Sequence, residues 1–455
     1  MKTRIVKNAK ISFLGAMAIG IGGMVGGGIF AVLGEAVSLA RGATAIAFLV
    51  AGVVAFLTSY SYAKLSVHFP SQGGTVVFID QAFGVDLATG VINLILWLSY
   101  LVTLALYAVA FGSYALTFFT TSPDPWLRHA LISIGIILPV ILNLFNAQVV
   151  SKSEVIIVFI KLILLILVIV AGAGYVDVAR FSPGSWGDSI SVIGAGMVIF
   201  VAYEGFELIA NSAQEVKNPQ KTLPRAFYGS VLLVITLYVL VALVTVGTVA
   251  PDRIAQVKDY ALAEAAKPSL GTIGFRIVAI AALLATLSAI NATVYGNARL
   301  GFTLAKDGEL PSILEEKAWK EPASGVLIVG ALALLMANFI DLTGIAIISS
   351  AGFLLIFAAV NVAGTKLATR TGGKKWISLA GSIACMMALL TLLWHTHEDN
   401  PHALWIFLFF IVLAFLFEIS YGTFIRRHLS LKKKSNDTLV IGGNHERQNP
   451  AAKDI

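Results

Sequence analysis

Gly20-Ile21-Gly22-Gly23-Met24-Val25-Gly26-Gly27-Gly28-Ile29-Phe30 lies in the middle of an apolar run over residues 11–40 and holds six glycines in nine residues. Each glycine in a helix interior costs about 1 kcal/mol relative to alanine, so the cluster predicts a backbone that leaves the helix here. N–H groups freed by the break, together with the positive end of the resumed helix, would then bind an anion such as a carboxylate. Close helix packing is the other reading, because Gly22 and Gly26, and Gly23 and Gly27, have small-xxx-small spacing. Packing accounts for two or three of these glycines but not for three in succession.

The chain around the cluster is as apolar as the cluster itself. Hydrophobic residues make up 58% of it and charged residues 13%, against roughly a quarter charged in soluble domains. That balance argues for lipid as the solvent. The apolar residues also come in blocks, and 155–171, 231–249 and 404–417 carry at most one charge each. A membrane helix needs about 20 apolar residues to cross about 30 Å of hydrocarbon. Twelve spans are read on this basis, at 11–40, 44–66, 87–119, 131–149, 154–176, 190–212, 226–249, 272–304, 325–340, 342–366, 376–394 and 404–425. The basic start followed by apolar residues imitates a signal peptide. Ala16-Met17-Ala18 lies too close to the basic stretch to leave a proper hydrophobic region, so a retained first span is expected. Cys385 is alone and makes no intramolecular disulfide.

The net charge of +7 is explained by topology rather than by a nucleic-acid partner. Threading the spans puts 24 of the 32 Lys and Arg on the side of the N-terminus. The positive-inside rule then places both termini in the cytoplasm, with the chain in the cytoplasmic (inner) membrane. The tail 426–455, with Lys432-Lys433-Lys434, is polar and expected to be disordered; its basic residues set topology or lie on anionic lipid.

A repeat is also legible. The third and eighth spans are both long, about 33 residues or roughly 50 Å as helix. The first and sixth both carry glycine interruptions. An odd number of spans separates equivalents, so the halves have opposite orientation, and paired broken helices at matching positions point to a transport site. The expected organisation is a cytoplasmic start 1–10, a five-helix repeat 11–176, an inverted five-helix repeat 190–366, two additional helices 376–425 and the tail.

The sixth span reads Phe200-Val201-Ala202-Tyr203-Glu204-Gly205-Phe206-Glu207. A carboxylate at the centre of a span costs about 2.5–3.5 kcal/mol on the insertion scale, so both should face a cavity, a partner or a proton. A break at Gly205 would separate them. Glu207 then either ties down the unwound backbone or serves transport, and Glu204 either meets a cation or is protonated. Lys161 stands nine residues past Lys152, about 13 Å into the membrane. A buried ammonium loses its hydration, which suits the side chain to gaining and releasing a proton. The alternative is a permanent charge paired with carbonyls or with an acid such as Glu204.

These residues also carry a family likeness. Gly26-Gly27-Gly28-Ile29-Phe30 resembles the G-S/G-G-I-F signature of the amino acid–polyamine–organocation superfamily. Pro70-Ser71-Gln72-Gly73-Gly74-Thr75 through Ala82-Phe83-Gly84 is similar to its first cytoplasmic loop. Glu215-Val216-Lys217-Asn218-Pro219 with Pro224-Arg225-Ala226 is similar to the loop after the sixth span. Asn297-Ala298-Arg299 with Ala305-Lys306-Asp307-Gly308-Glu309-Leu310-Pro311 resembles the loop after the eighth. The resemblance implies an all-α polytopic membrane fold of twelve helices: a five-plus-five inverted repeat with broken first and sixth helices, plus two C-terminal helices, working by alternating access. It implies that backbone at Met24, Val25, Gly26, Gly27 and Gly28 holds a substrate carboxylate. Carbonyls around Val201, Ala202, Tyr203 and Glu204 would hold its amino group. Lys161 matches a family lysine that stands where sodium-coupled relatives bind a cation, which implies proton coupling, with Ser288 beside it. Glu204 departs from the family pattern, where many members have a neutral residue.

The leading expectation is therefore proton-coupled uptake of an amino acid by a permease, with protons and the lipid bilayer as its other partners and no cofactor. The second is a polyamine or cationic amino acid carrier using Glu204 and Glu207. A sensor or intramembrane enzyme is the third class, but the sequence has no soluble sensory domain, no H-E-x-x-H run and no serine elbow. His395, His397 and His402, beside Glu398 and Asp399, read as a solvated connecting loop, with a metal site as the alternative. Asn143, Asn146, Asn291, Asn338 and Asn361 read as interhelical hydrogen-bonding residues, and Tyr100 and Tyr107 as either cavity-lining or packing.

Overall fold

The computed structural model describes residues 10–119, 125–145, 147–316 and 323–421, and of 145 and 147–156 the backbone alone. Lys2, Arg4, Lys7, Asn146 and the tail from Arg426 lie outside the described residues or, like the Lys152 side chain, outside the described atoms. The fold is all-α. The first span is two helices, α1 (Phe13–Met24) and α2 (Gly28–Ala40), bent by 48° at their break. α3 (Thr44–His68), the short α4 (Thr75–Phe83), α5 (Leu87–Leu116), α6 (Pro125–Phe145) and α7 (Ala147–Ala173) follow. The sixth span is α8 (Ser189–Val198), a 3-10 turn (Ile199–Tyr203) and the single turn α9 (Leu208–Asn211). After α10 (Pro219–Thr248), a strap holding α11 (Pro251–Gln256) and α12 (Ala261–Ala265) leads to α13 (Lys267–Lys306). α14 (Ala323–Phe339), α15 (Leu342–Lys366), the short α16 (Ala368–Thr371), α17 (Lys375–Asp399) and α18 (Pro401–Tyr421) complete the chain.

Among the described residues, nine helices are long and apolar enough to cross a membrane and the bent pair makes a tenth. α14 and residues 157–173 of α7 are shorter apolar helices. Large apolar side chains such as Ile163, Val170, Leu284, Leu390 and Leu416 are exposed on the helix surfaces. Water would penalise that surface and hydrocarbon does not, so the exposure belongs with lipid. The most apolar stretch of the interrupted sixth span is 89% buried and that of α18 is 22% buried, so the broken helix is central and the last helix peripheral.

Helix ends follow local chemistry. Asp86 and Thr89 form a reciprocal capping box at the start of α5, and Asp341 accepts the Gly344 N–H at the start of α15. Gly271, at φ +63°, breaks α13 near its start, so the long helix proper begins at Thr272, the predicted start of the eighth span. The eleventh span runs further than its hydropathy: α17 continues to Asp399. His395 and His397 are therefore helical rather than in a loop, and Asn400-Pro401 ends the helix because the residue before proline is disfavoured in α. His395 is buried and lies 3.1 Å from Asp399, one turn on.

One contact ties the two broken spans at a face of the bundle. Lys10 N–H donates to the Glu215 carbonyl (2.9 Å) and Lys217 N–H to the Ile11 carbonyl (2.9 Å). The start of α1 and the loop after α9 are thus joined by backbone hydrogen bonds, and they mark one side of the bundle, the Lys10 face.

Candidate functional site

Breaking a helix in lipid leaves N–H and C=O groups that must find partners. In the sixth span Ser350 of α15 supplies two of them: its hydroxyl donates to the Val198 carbonyl (2.7 Å) and accepts the Val201 N–H (2.9 Å). Tyr238 of α10 serves both breaks at once, its hydroxyl donating to the Met24 carbonyl (2.6 Å) and to the Ala202 carbonyl (3.1 Å). Tyr238→Phe is expected to cost about 0.6–1.7 kcal/mol of stability, the range for intramembrane hydrogen bonds. A thermal melt in detergent measures it, and the uptake assay below should show a larger loss because both breaks lose their shared anchor.

The two breaks touch through glycine. Gly205 adopts φ +118°, a conformation that L side chains rarely take. A Cβ there would sit 2.6 Å from Gly23 Cα and 2.6 Å from Met24 N. In the other direction, a Cβ on Gly23 would sit 2.7 Å from the Gly205 carbonyl oxygen. Glu207 closes the turn between the half-helices, accepting the Gly205 N–H (2.7 Å) with one carboxylate oxygen and the Tyr100 hydroxyl (2.9 Å) with the other. It is 1% exposed, and these are the bonds of a residue that ties down unwound backbone. Glu204, on the other side of Gly205, turns toward Tyr107, whose hydroxyl donates to it at 3.2 Å.

Between the breaks and α13 lies a cavity of about 90 Å³, with Gly22, Gly23, Tyr107, Lys161, Glu204 and Ser288 in its wall. Through Tyr100, Asn211 and Gly296 it adjoins a vestibule of about 530 Å³, lined also by Gln72, Gly73, Ser212 and Glu215. Glu215 receives Lys10, so the vestibule lies on the Lys10 face. On the opposite face a depression of about 290 Å³, lined by Glu35, Lys258, Asp341, Thr343 and His395 among others, shares no lining residue with the cavity.

The structure distributes the sequence-predicted residues between the cavity wall and the layer behind it. Lys161, Glu204 and Ser288 meet at the cavity. The glycine cluster contributes Gly22 and Gly23 to the wall, immediately before the predicted stretch. Gly26, Gly27 and Gly28 instead pack against Ala289, Tyr107 and Ala202. Met24, Val25, Val201, Ala202 and Tyr203 are buried. The Met24 and Ala202 carbonyls are taken by Tyr238, the Val201 carbonyl accepts the Glu204 N–H (3.1 Å), and the Tyr203 hydroxyl donates to Phe48 of α3 (2.8 Å). Tyr100 and Tyr107 both line the cavity. Asn211, Thr293 and Asn297 also line it, and sequence reasoning assigned none of the three to the site, Asn297 being noted only within a loop motif. A single polar residue within a predicted span, whether near its end like Asn211 or inside it like Thr293, gives no signal of the side it faces. The start of α2 at Gly27 carries no side-chain cap, which leaves its first N–H groups to another partner.

A family model described as amino acid permease matches residues 11–443. The inner membrane transport protein YbaT of Escherichia coli is 36% identical over 410 residues, 88% of this chain and 93% of that protein. An uncharacterized protein of Methanocaldococcus jannaschii is 34% identical over 427 residues, 93% of this chain and 98% of its own length. The chloroplastic cationic amino acid transporter 9 of Arabidopsis thaliana is 31% identical over 327 residues, 67% of this chain and 56% of that protein.

Proposed function

Because the chain belongs to the amino acid permease family, a family of membrane transporters for amino-acid-like substrates, we propose that it carries an amino acid into the cell by alternating access, in symport with a proton. The Lys10 face is the cytoplasmic one in this reading, as the charge bias of the sequence requires. The observation that carries the proposal is the meeting of Gly22, Gly23, Lys161, Glu204 and Ser288 around one cavity between two broken helices. Backbone dipoles at such breaks suit the two charged ends of an amino acid, and a buried lysine beside them suits a proton. The two halves of the chain act as inverted five-helix repeats about this site. Met24–Gly28 backbone and the carbonyls near Glu204 close on the substrate as the cavity occludes, and Glu207 holds the sixth-span break in register.

Purified protein in liposomes with an alkaline lumen tests this. At least one labelled amino acid should accumulate above its outside concentration, and the accumulation should vanish when a protonophore removes the gradient. A panel of the twenty amino acids and common polyamines giving no uptake above empty vesicles would sink the proposal.

One observation favours a second reading, a cationic substrate: Glu204 is a carboxylate in the cavity wall, and one of the relatives is named for cationic amino acids. Glu204→Gln separates the two. For a neutral substrate its binding should change by no more than about threefold, under 1 kcal/mol. For lysine, arginine or a diamine, binding should be lost. Thermal-shift titration against each ligand reads the difference, since a ligand of the folded state raises its stability.

A further inference from the structure

The cavity reaches the Lys10 face, so something must hold the other face shut. Two adjacent residues of opposite charge, Lys258 and Asp259 in the strap between α10 and α13, stand at that position. The Lys258 ammonium donates to Glu35 of α2 (2.9 Å) and to Thr343 of α15 (3.0 Å), and the Thr343 hydroxyl donates to the same Glu35 oxygen (3.0 Å). This triangle joins the second half of the broken first span, the strap and α15. Asp259 reaches the other way, accepting from Ser113 of α5 (3.2 Å) and Arg128 of α6 (3.3 Å).

We propose that Lys258 and Asp259 form a two-pronged clip that keeps the outer face closed while the cavity is open to the cytoplasm, and that the Glu35–Lys258–Thr343 prong must release before substrate can reach the cavity from outside. Three features make this contact a switch rather than surface decoration. Glu35 is 8% exposed at its side chain while Lys258 is 39% exposed, so the acid is held within the closed structure and its partner stands at the water edge. The outer depression is lined by Glu35, Lys258 and Thr343 themselves, which gives water a route to replace the bonds. Beneath them the chains are in backbone contact: a Cβ on Gly34 would strike the Lys258 backbone. The strap cannot ease away by side-chain adjustment alone, so opening is a discrete step. A contact made in one of two states biases the equilibrium toward that state, and its removal shifts population to the other.

The inference rests on the alternating-access reading, and its test needs no substrate, so its failure is separable from failure of the uptake panel. Two reporters are placed in a Cys385→Ser background: Ile347→Cys on the floor of the outer depression, buried here, and Thr303→Cys in the vestibule. In Lys258→Ala, Ile347→Cys should react with a membrane-impermeant thiol reagent about threefold faster or more, and Thr303→Cys correspondingly slower. The charge exchange Glu35→Lys with Lys258→Glu should restore both rates. General loosening would speed both reporters, and either that result or two unchanged rates overturns the clip. If Lys258→Ala does not fold, Thr343→Val removes one corner of the triangle without stranding a charge and carries the same opposed expectation.

Discussion

Gly205→Ala is expected to be among the most damaging single-methyl changes in this protein, abolishing measurable uptake and lowering stability by at least about 2 kcal/mol. Two costs combine. A non-glycine residue forced into a φ of +118° is strained by about 1–3 kcal/mol. The added Cβ also meets the Gly23 backbone at 2.6 Å, and overpacking of this kind costs about 1–3 kcal/mol more. The clash falls on backbone, which cannot rotate away as a side chain can. It would force apart the two breaks that Tyr238 and Glu207 hold in register, so transport should suffer beyond the loss of stability. Gly23→Ala should behave as a weaker version, because its own φ is helical and only the clash with the Gly205 backbone, 2.7 Å at its carbonyl oxygen and 2.8 Å at its Cα, remains. Gly174→Ala is the control: no atom lies within 4 Å of its Cβ position, and melting temperature and uptake should be those of the parent. Comparable damage in Gly174→Ala would show that the effect is not specific to the contact between the breaks.

That contact marks where the sequence was readable and where it was not. A glycine cluster in an apolar run has few explanations, and the first span breaks within it, between Met24 and Gly28. Gly205 between two acids likewise announced the second break. The limits of α15 coincide with the apolar run because Asp341 caps one end and Lys366 lies at the other. Residues that hold the breaks together left no such trace. Tyr238 and Ser350 are single hydroxyls in spans that contain others, and their partners are backbone groups, three carbonyls and the Val201 N–H, on other spans of the chain. Hydropathy also ended the eleventh span too early, because histidines and acids can continue a helix beyond the hydrocarbon. The acids of the sixth span were readable as a pair but not as individuals. The turn at Gly205 decides which one folds back onto backbone, and that geometry depends on the contact with Gly23.

Lys161→Met is expected to uncouple transport from the proton gradient while leaving the substrate site in place. Lys161 is 2% exposed and shares the cavity with Gly22, Gly23, Glu204 and Ser288. Methionine keeps much of its apolar stem and removes the charge, so packing is largely preserved. If the proton that drives uptake is carried on this amine, the variant can still bind substrate and exchange it across the membrane. It can no longer draw on the gradient. One proton moving down a difference of one pH unit supports at most about tenfold accumulation, 1.4 kcal/mol. That tenfold excess should disappear in Lys161→Met, leaving exchange of internal for external substrate at a rate within reach of the parent. Thermal-shift titration should give an affinity changed by only a few fold. Full gradient-driven accumulation in Lys161→Met would move the proton elsewhere, with Glu204 as the next carboxylate on the cavity wall to replace. Loss of binding together with accumulation would instead make Lys161 part of the substrate site. The three outcomes differ in which of two readouts falls, so the same pair of measurements assigns the residue whichever way they turn.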